Sequence, residues 1–391
     1  MDSKSRLLKA WRFKEPDRVP IEMFLTRTAC IMELPGAAEI LAFQENEADN
    51  FLGVPGFDWG FLGLDAACRE EVIEDVPGRY RRTRRIFSTP AGDFTSVIRH
   101  THDDLSGEGD PNDYFTEKHC IETLDDFRRL ASAPRVRRPF AADAYNRGCA
   151  KIGGRGVPIT GLFHPLGTLA RSSNIDEAYA WLLAEPELMA TFLERCTEQI
   201  VDSLLALPGA ALADPPVFKT HALEMFIPPW LGKELFHKWV FPFDKRVNDA
   251  VHAIGGRHFA HCHGNSGKYL ELFADMGLDA VDPLEPPPYG DNDLARAKRQ
   301  VGGRMLLCGN IPSQVFYLDS FQPGDVRELV RRAIAEGAPG GGFTLRTTGS
   351  AHIGNGKNRA QKAKSIQCGL AMIEAWREFG ATGGRVTTDP R

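Results

Sequence analysis

Residues 257–286, RHFAHCHGNSGKYLELFADMGLDAVDPLEP, decide the fold. An apolar run at 257–264 is followed by a helical pattern at 267–277 and then by a second apolar run at 278–286. A strand, a crossover helix and another strand make the repeating unit of a parallel sheet. The stretch therefore predicts two parallel strands joined by a helix.

The same alternation extends in both directions from this stretch. A long amphipathic segment from Gly232 to Ala253 precedes it. Helical patterns and apolar runs follow it in turn, at 291–302, 304–312, 323–341, 342–348 and 356–379. Earlier apolar runs that predict further strands lie at 19–24, 157–163 and 209–216.

Seven or eight parallel strands with crossover helices predict an α/β fold, a (β/α)8 barrel of the TIM type. A doubly wound sheet is the alternative, but no glycine-rich phosphate turn follows the first strand. Residues 81–100, RRTRRIFSTPAGDFTSVIRH, stand outside the alternation and predict an inserted β-hairpin that turns at Pro-Ala-Gly. No repeat or linker divides the chain, so we expect a single barrel domain over 1–391 with a frayed tail at 380–391.

Composition limits the classes of function. A net charge of -5 over 391 residues gives no support for a nucleic-acid partner, and the basic stretch at 79–87 is better explained as a solvated hairpin face. No apolar run approaches the roughly 20 residues that a membrane span needs, and the N-terminus lacks the apolar core of a signal peptide. Eight cysteines without a CxxC pair argue against a disulfide framework. These features predict a cytoplasmic protein without a membrane partner.

Barrels place their chemistry at the carboxyl ends of their strands. Read in order, the polar residues at the predicted ends are Glu22, His164, Asp214, His261, His263, Asp282, Glu285, Cys308, Asn310, Arg346 and Thr347. Polar residues also occur at strand ends because the chain leaves the core there, so part of this set is expected to be structural.

The motif FAHCHGN at 259–265 is the most suggestive part of this rim. Successive side chains of a strand point to opposite faces, so His261 and His263 share one face. Two imidazoles can chelate one zinc ion when further ligands come from other strands. From the residues alone, hydrogen-bonded core histidines are favoured over a metal site.

Several segments carry a family resemblance. In chain order they are KSRLLKAWRFKEPDRVPIEM (4–23), VPITGLFHPLGTLARS (157–172), FPFDKRVNDAVHAIGGRHFAHCHGN (241–265), DAVDPLEP (279–286), LLCGNIPSQ (306–314) and APGGGFTL (338–345). The series resembles the uroporphyrinogen decarboxylase superfamily, in the branch of corrinoid-dependent methyltransferases and O-demethylases, and covers about residues 4–375. The resemblance implies a TIM-type barrel, and it implies a homodimer because members of this superfamily often form dimers.

The resemblance also implies a zinc site. The thiol-methylating members hold zinc with an H-x-C pair and a later cysteine. Here His261 matches the histidine, His263 replaces the first cysteine, and Ser350 falls where the later cysteine belongs. His352 could then supply a third nitrogen. Three imidazoles leave zinc more Lewis-acidic than thiolates do, which suits polarising an ether oxygen or an amine.

This chemistry implies methyl transfer from a small methylated substrate, such as a methoxylated aromatic, to a corrinoid carried on a separate protein. Relatives that act on methoxylated aromatics use carboxylate and histidine ligands, so Glu224 is predicted to be a ligand or an acid. The predicted catalytic carboxylates are Asp214, Glu224, Asp282 and Glu285. The residues predicted to bind substrate are Arg27, His164, Met225, Phe226, Trp230, Asn310 and Arg346.

Metal-independent decarboxylation of a porphyrinogen or another polycarboxylate is the alternative function. The decarboxylases of the superfamily carry an R-Q-A-G-R motif whose arginines hold the carboxylates. In TRTACIMELPG at 26–36, Arg27, Thr28 and Ala29 echo the motif, but Cys30 replaces the glycine and no second arginine follows. A polycarboxylate needs clustered cations, so methyl transfer is favoured. A barrel that binds a ligand without chemistry is a third interpretation, suggested by the missing cysteines.

Overall fold

The strands form two sheets in the computed structural model, which describes residues 1–25, 27–101, 114–207, 212–348, 353 and 358–381. The parallel sheet has seven strands, in pairing order β1 (Asn50–Gly53), β6 (Gly156–Gly161), β7 (Val217–Thr220), β8 (Arg257–His261), β9 (Ala280–Leu284), β10 (Leu306–Ile311) and β11 (Phe343–Thr347). The antiparallel sheet has four, β2 (Ala67–Val76), β3 (Tyr80–Thr89), β4 (Gly92–Thr101) and β5 (Phe115–Lys118).

The parallel sheet is curled, because both of its edge strands approach the same segment of chain. The amide of Glu22 donates to the carbonyl oxygen of Leu345 in β11 at 2.8 Å. On the other side, the amide of Asp49, just before β1, donates to the carbonyl oxygen of Ile21 at 2.7 Å. Residues 19–24 are therefore not a regular strand: they have one isolated bridge, from Ile21 to Leu345 of β11, and a hydrogen bond from Asp49 on the side of β1.

Helices connect the strands of the parallel sheet and flank the antiparallel one. Their bounds are α1 (Ser3–Trp11), α2 (Ala29–Met32), α3 (Ala37–Asn46), α4 (Leu124–Ser132), α5 (Ala142–Ile152), α6 (Pro165–Ala170), α7 (Ile175–Ala184), α8 (Pro186–Leu205), α9 (Lys233–Trp239), α10 (Phe241–Ala253), α11 (Leu270–Met276), α12 (Leu294–Val301), α13 (Pro323–Gly337) and α14 (Arg359–Phe379). Side-chain oxygens of Asp293 and Asn358 cap α12 and α14 by accepting from backbone amides. In the described part of the chain, no helix is long and apolar enough to span a bilayer.

An apolar layer fills the curled sheet at the amino ends of its strands. Phe51, Val217, Phe259 and further buried side chains of the neighbouring strands form this layer. Trp11 of α1 covers it, with T-shaped contacts to Phe51 at 5.5 Å and to Phe259 at 6.0 Å between ring centroids. Burying a large side chain of this type contributes about 1.5–3 kcal/mol. Polar side chains collect at the opposite, carboxyl ends of the strands.

The position predicted for one strand is wrong. The strand expected at 209–216 is β7, Val217–Thr220; residues 212–216 form an irregular segment with a bend, and residues 209–211 lie outside the described residues. Pro215 and Pro216 lack the amide hydrogen that a central strand must donate. The long amphipathic segment from Gly232 to Ala253 forms two helices, α9 and α10, and Pro242 stands at the start of the second.

The inserted hairpin predicted near 81–100 is confirmed, since β3 and β4 pair antiparallel. It is the centre of a larger sheet, because β2 and β5 extend it on either side. Of the predicted (β/α)8 barrel, the structure confirms an α/β fold with a curled sheet of seven parallel strands. The predicted frayed tail, 380–391, lies outside the described residues beyond Ala381.

Candidate functional site

Asp282, on β9, is the centre of a buried charge network. Lys219 of β7 donates to its Oδ2 at 3.0 Å, and Arg346 of β11 contacts the same oxygen. Arg346 also donates to Glu22 Oε2 at 3.2 Å. Burial raises the pKa of Asp282, but the charges of Lys219, Arg346 and His261 outweigh burial and hold that pKa well below its usual range. Asp282 is therefore a carboxylate at neutral pH.

His261 and His263 lie side by side at the end of β8, each beside a carboxylate. Nδ1 of His261 is 3.1 Å from Asp282 Oδ1, and Nδ1 of His263 is 3.2 Å from Glu285 Oε1. The two ring centroids are 4.5 Å apart, with the ring planes at 86°. A carboxylate beside Nδ1 favours the proton on that nitrogen and leaves Nε2 with its lone pair. Both imidazoles are thus set up as ligands through Nε2.

Glu285 favours the protonated form of His263. Burial lowers the pKa of His263, but the hydrogen bond and the charge of Glu285 outweigh it and raise that pKa above its ordinary value. Burial likewise raises the pKa of Glu285, while His263 and the amide of Gly264, which donates to Oε2 at 2.5 Å, lower it overall. Metal binding at His263 would therefore have to displace a proton.

His221 brings a third imidazole to the same rim. It follows β7 directly, and its ring centroid lies 5.4 Å from that of His261. Burial by the surrounding protein and the charge of Lys219 lower the pKa of His221 to about 4. His221 is therefore neutral at physiological pH.

A third metal ligand is not assembled among the described residues. In that part of the chain, no group of three His, Cys, Asp or Glu is placed so that it could hold a metal ion. His352, the predicted third ligand, lies outside the described residues. Glu224 has its Oε2 buried without a hydrogen-bond partner among those residues. The charge of Glu224 also raises the pKa of His263, although less than Glu285 does. Glu224 is thus a nearby carboxylate with an unsatisfied oxygen.

A cavity of about 710 Å³ opens between the ends of β6 and β7 and the antiparallel sheet. His164, Lys219 and His221 line it on the side of the parallel sheet, and Phe87 and Ile98 line it on the other. This volume lies in the range of sites for small molecules. Because Lys219 contacts Asp282 and His221 lies beside His261, a ligand in the cavity would lie next to the histidine pair.

Asp214 and Arg27 are not brought to this site. Asp214 precedes β7, so it lies at the amino end of that strand, where it accepts from Lys4 Nζ at 2.6 Å. Its predicted place at a carboxyl end followed from the misplaced strand. The side chain of Arg27 is 50% exposed and pairs with Glu45 at 3.2 Å. Arg27 is also not among the described residues that line the cavity.

The three apolar residues after β7 that were predicted to bind substrate, Met225, Phe226 and Trp230, make packing contacts. Phe226 is fully buried and contacts the ring of His164 edge to face, at 4.7 Å between centroids. The carbonyl oxygen of Met225 accepts from the hydroxyl of Tyr179. Trp230 is 47% exposed and stacks on the same Tyr179 at 5.8 Å. The contact with Phe226 packs His164 into the cavity wall.

Asn310 lies in a different place from the histidine pair. It lines a second cavity, of about 440 Å³, together with Pro286, Tyr289 and Phe321. Asn310 pairs in register with Arg346 of the neighbouring strand β11, but Arg346 is not among the described residues that line this second cavity.

The sequence does not single out Lys219 and His221. Both fall beyond the strand predicted at 209–216, so neither is placed on the rim. The available signal is local: VFKT at 217–220 has three residue types frequent in strands, follows two prolines and leads directly to a histidine. A lysine inside such a short strand calls for a buried carboxylate partner.

Comparison with known proteins places the chain in a family. The model of the family described as uroporphyrinogen decarboxylase (URO-D) matches residues 112–347, more than half of the chain. The chain belongs to the uroporphyrinogen decarboxylase family.

Its relatives include two kinds of enzyme. The methylcobamide:CoM methyltransferase MtbA of Methanosarcina acetivorans is 22% identical over 360 residues, which cover 88% of this chain and 93% of that protein. Uroporphyrinogen decarboxylases of Psychromonas ingrahamii and Cupriavidus necator are each 26% identical, over 43% and 57% of this chain and 45% and 61% of their own lengths. The solved structure of a methyltransferase from Methanosarcina mazei matches with a TM-score of 0.57 at 16% identity and covers 97% of this chain and 99% of its own. That similarity supports the fold.

Proposed function

We propose that the protein transfers a methyl group between a small methylated substrate and a corrinoid carried by a separate protein, with zinc at His261 and His263. One observation carries this function: two adjacent imidazoles have their Nδ1 atoms beside the carboxylates of Asp282 and Glu285. Carboxylate–histidine pairs of this kind orient metal ligands in proteins. MtbA, which matches nearly its whole length, is named as a methyltransferase that works on a methylcobamide.

The residues present suit zinc in their chemistry. Neutral imidazole nitrogens and a carboxylate oxygen are ordinary ligands of this ion. Glu224, with its unsatisfied oxygen, and His352 are the two candidates for the third position. A bound zinc ion would supply a Lewis acid that polarises the oxygen or nitrogen carrying the methyl group.

The chain's own residues would bind and orient the substrate. The cavity would hold the substrate next to the histidine pair, against a lining that includes aromatic and aliphatic side chains. Asp282 fixes the ring of His261, and Glu285 fixes the ring of His263. His221 is neutral and presents an imidazole that can exchange a hydrogen bond with the substrate's leaving atom.

Measurement of zinc and of methyl transfer tests this function. Protein loaded with zinc and then desalted is expected to retain about one equivalent, and His261→Ala is expected to lose it. His237→Ala, which removes an exposed histidine on α9, is the matched control and should retain zinc. Methyl transfer from a methoxyarene to reduced free cobalamin, followed by its absorption spectrum, should disappear in His261→Ala. Less than a tenth of an equivalent of zinc in both proteins would remove the metal from the proposal.

A decarboxylase remains the second candidate, because two relatives carry that name. The exposed pair of Arg27 and Glu45 argues against it, since Arg27 does not reach the cavity. Release of carbon dioxide from uroporphyrinogen by the purified protein, lost in Arg27→Ala, would favour the decarboxylase over the methyltransferase.

Three architectural expectations belong to the same proposal. We propose that residues 19–24 act as the eighth strand of a closed barrel, that residues 1–391 form one domain, and that the protein is a homodimer. The hydrogen bonds of Glu22 and Asp49 support closure. A single cooperative unfolding transition and a dimeric mass by light scattering are the expected results.

A further inference from the structure

The larger cavity has an unusual balance of charge. Arg85, Arg171 and Lys219 line it, whereas no aspartate or glutamate does among the residues that the structure describes. The whole chain has a net charge of -5, so the cavity reverses the sign of the protein around it. Clefts lined by one sign of charge concentrate ligands of the opposite sign.

Arg171 differs from the other two cations. Lys219 is engaged by Asp282 at 3.0 Å, and Arg85 by Glu70 at 2.8 Å. Arg171, directly after α6, is exposed and has no ion-pair or side-chain hydrogen-bond partner within the described parts of the chain. All its guanidinium donors are therefore available to a ligand. A guanidinium forms two parallel hydrogen bonds with a carboxylate.

Stacked aromatic pairs form much of the remaining lining. Phe61 stacks on Phe87 of β3, with centroids 4.3 Å apart and planes at 16°. Trp59 stacks on Phe163 at 5.0 Å and 23°. All four rings line the cavity. Rigid aromatic surfaces of this kind suit a flat apolar body.

We infer that the cavity binds an organic anion with a flat apolar body, that Arg171 holds its carboxylate, and that the inserted antiparallel sheet selects its shape. The inference deepens the proposed function, on which it rests, by naming the class of the methylated substrate. Arg171 and His221 line the same cavity, so a ligand held by Arg171 lies beside the imidazoles. Phe87 belongs to β3 of the inserted antiparallel sheet, so this sheet forms the outer wall of the site.

Calorimetric titration of the metal-free protein tests the inference with a matched pair of probes. 4-Methoxybenzoate carries the charge, and 4-methoxybenzamide is its neutral isostere. We expect the benzoate to bind about tenfold more tightly than the amide, the size typical of hydrogen bonds to a charged group. Arg171→Gln should abolish that preference, and Arg171→Lys should restore part of it. Arg299→Gln, which removes an exposed arginine of α12 away from the cavity, is the control and should keep it.

A second comparison tests the role of the sheet. Phe87→Ala is expected to weaken both aromatic probes alike, and cyclohexanecarboxylate should bind more weakly than 4-methoxybenzoate. Equal binding of the benzoate and the amide, a preference that survives Arg171→Gln, or no binding of either probe would overturn the inference. The titration contains neither zinc nor corrinoid, so these results leave the proposed methyl transfer untouched. Conversely, failure of the zinc test leaves anion binding standing.

Discussion

Replacing Asp282 by asparagine is expected to destabilise the protein strongly while preserving the shape of the side chain. In the parent, one buried carboxylate faces both Lys219 and Arg346. Arg346 keeps Glu22 at 3.2 Å in the variant. Lys219 loses its only carboxylate partner among the described residues, and with a side chain 12% exposed it cannot turn fully into water.

The magnitude follows from this loss. Breaking a buried ion pair by removing one partner costs about 3–5 kcal/mol. The lower end applies here, because Lys219 also lies over the ring of Phe259, 4.3 Å from its centroid, and Arg346 remains paired. We therefore expect Asp282→Asn to lower the free energy of unfolding by about 3 kcal/mol at pH 7.

Urea denaturation followed by tryptophan fluorescence measures this difference. Asp275→Asn is the matched control: it breaks an exposed pair with Arg304, at 2.6 Å and with Asp275 54% exposed, and should cost less than about 1 kcal/mol. The pKa of Asp282 is lowered in the folded state, so its stabilisation is present above the unfolded pKa of about 3.9 and lost as the pH falls through the folded value. The gap between parent and variant should thus be constant from about pH 5 to 8 and narrow below about pH 4. Equal losses in the two variants would refute the reasoning.

Three further expectations concern the histidine pair and the apolar layer. Glu285→Gln removes the charge beside Nδ1 of His263, so zinc should bind about 10- to 100-fold more weakly in competition with a chromophoric chelator; unchanged affinity would show that His263 is not a ligand. Phe259→Ala opens a cavity in the apolar layer and should lower the free energy of unfolding by about 3–5 kcal/mol in urea; a loss under about 1 kcal/mol would mean that the layer is loosely packed. Because the pKa of His263 is raised in the folded state, its protonated form adds stability that is complete below the unfolded pKa of about 6.5 and is lost as the pH rises through the folded value. Metal-free parent protein should therefore lose stability over that interval, and an equal slope in Glu285→Gln would contradict the assignment.

Periodicity predicts the fold best where strands and helices alternate through short loops. β8 to β11 and the helices between them fall within a few residues of their predicted positions, because strands buried on both faces read as continuous apolar runs. β7 does not read as a continuous apolar run, so its position was not predicted. It has only four residues, one of which is Lys219, and the apolar run before it ends in two prolines.

The candidate site likewise has one part that the sequence predicts and one part that it does not. The proximity of His261 and His263 is local, because the two residues are neighbours in the chain at the end of β8. The network around Asp282 is not local: Lys219 lies 63 residues away and Arg346 lies 64 residues away. Only the curling of the sheet brings β7, β9 and β11 to one buried point, and no spacing in the sequence encodes that approach.

Lys219 is not a candidate metal ligand, but its charge affects metal binding at His261 through Asp282. Oδ2 of Asp282 faces the two cations, and Oδ1 faces Nδ1 of His261. Because the cations keep Asp282 ionised, the carboxylate can only accept, so the proton of His261 stays on Nδ1 and Nε2 keeps its lone pair. Without Lys219, Arg346 remains beside the buried carboxyl, but the pKa of Asp282 is higher, and the protonated acid can donate to Nδ1, which moves the ring proton to Nε2 and blocks the ligand atom. Lys219→Met should therefore weaken zinc binding by about tenfold or more, the size typical of changes around metal ligands, while Lys268→Met, an exposed lysine just after the histidine motif, should not. Equal zinc affinity in the two variants, measured by chelator competition, would show that the charge on Asp282 does not set the tautomer of His261.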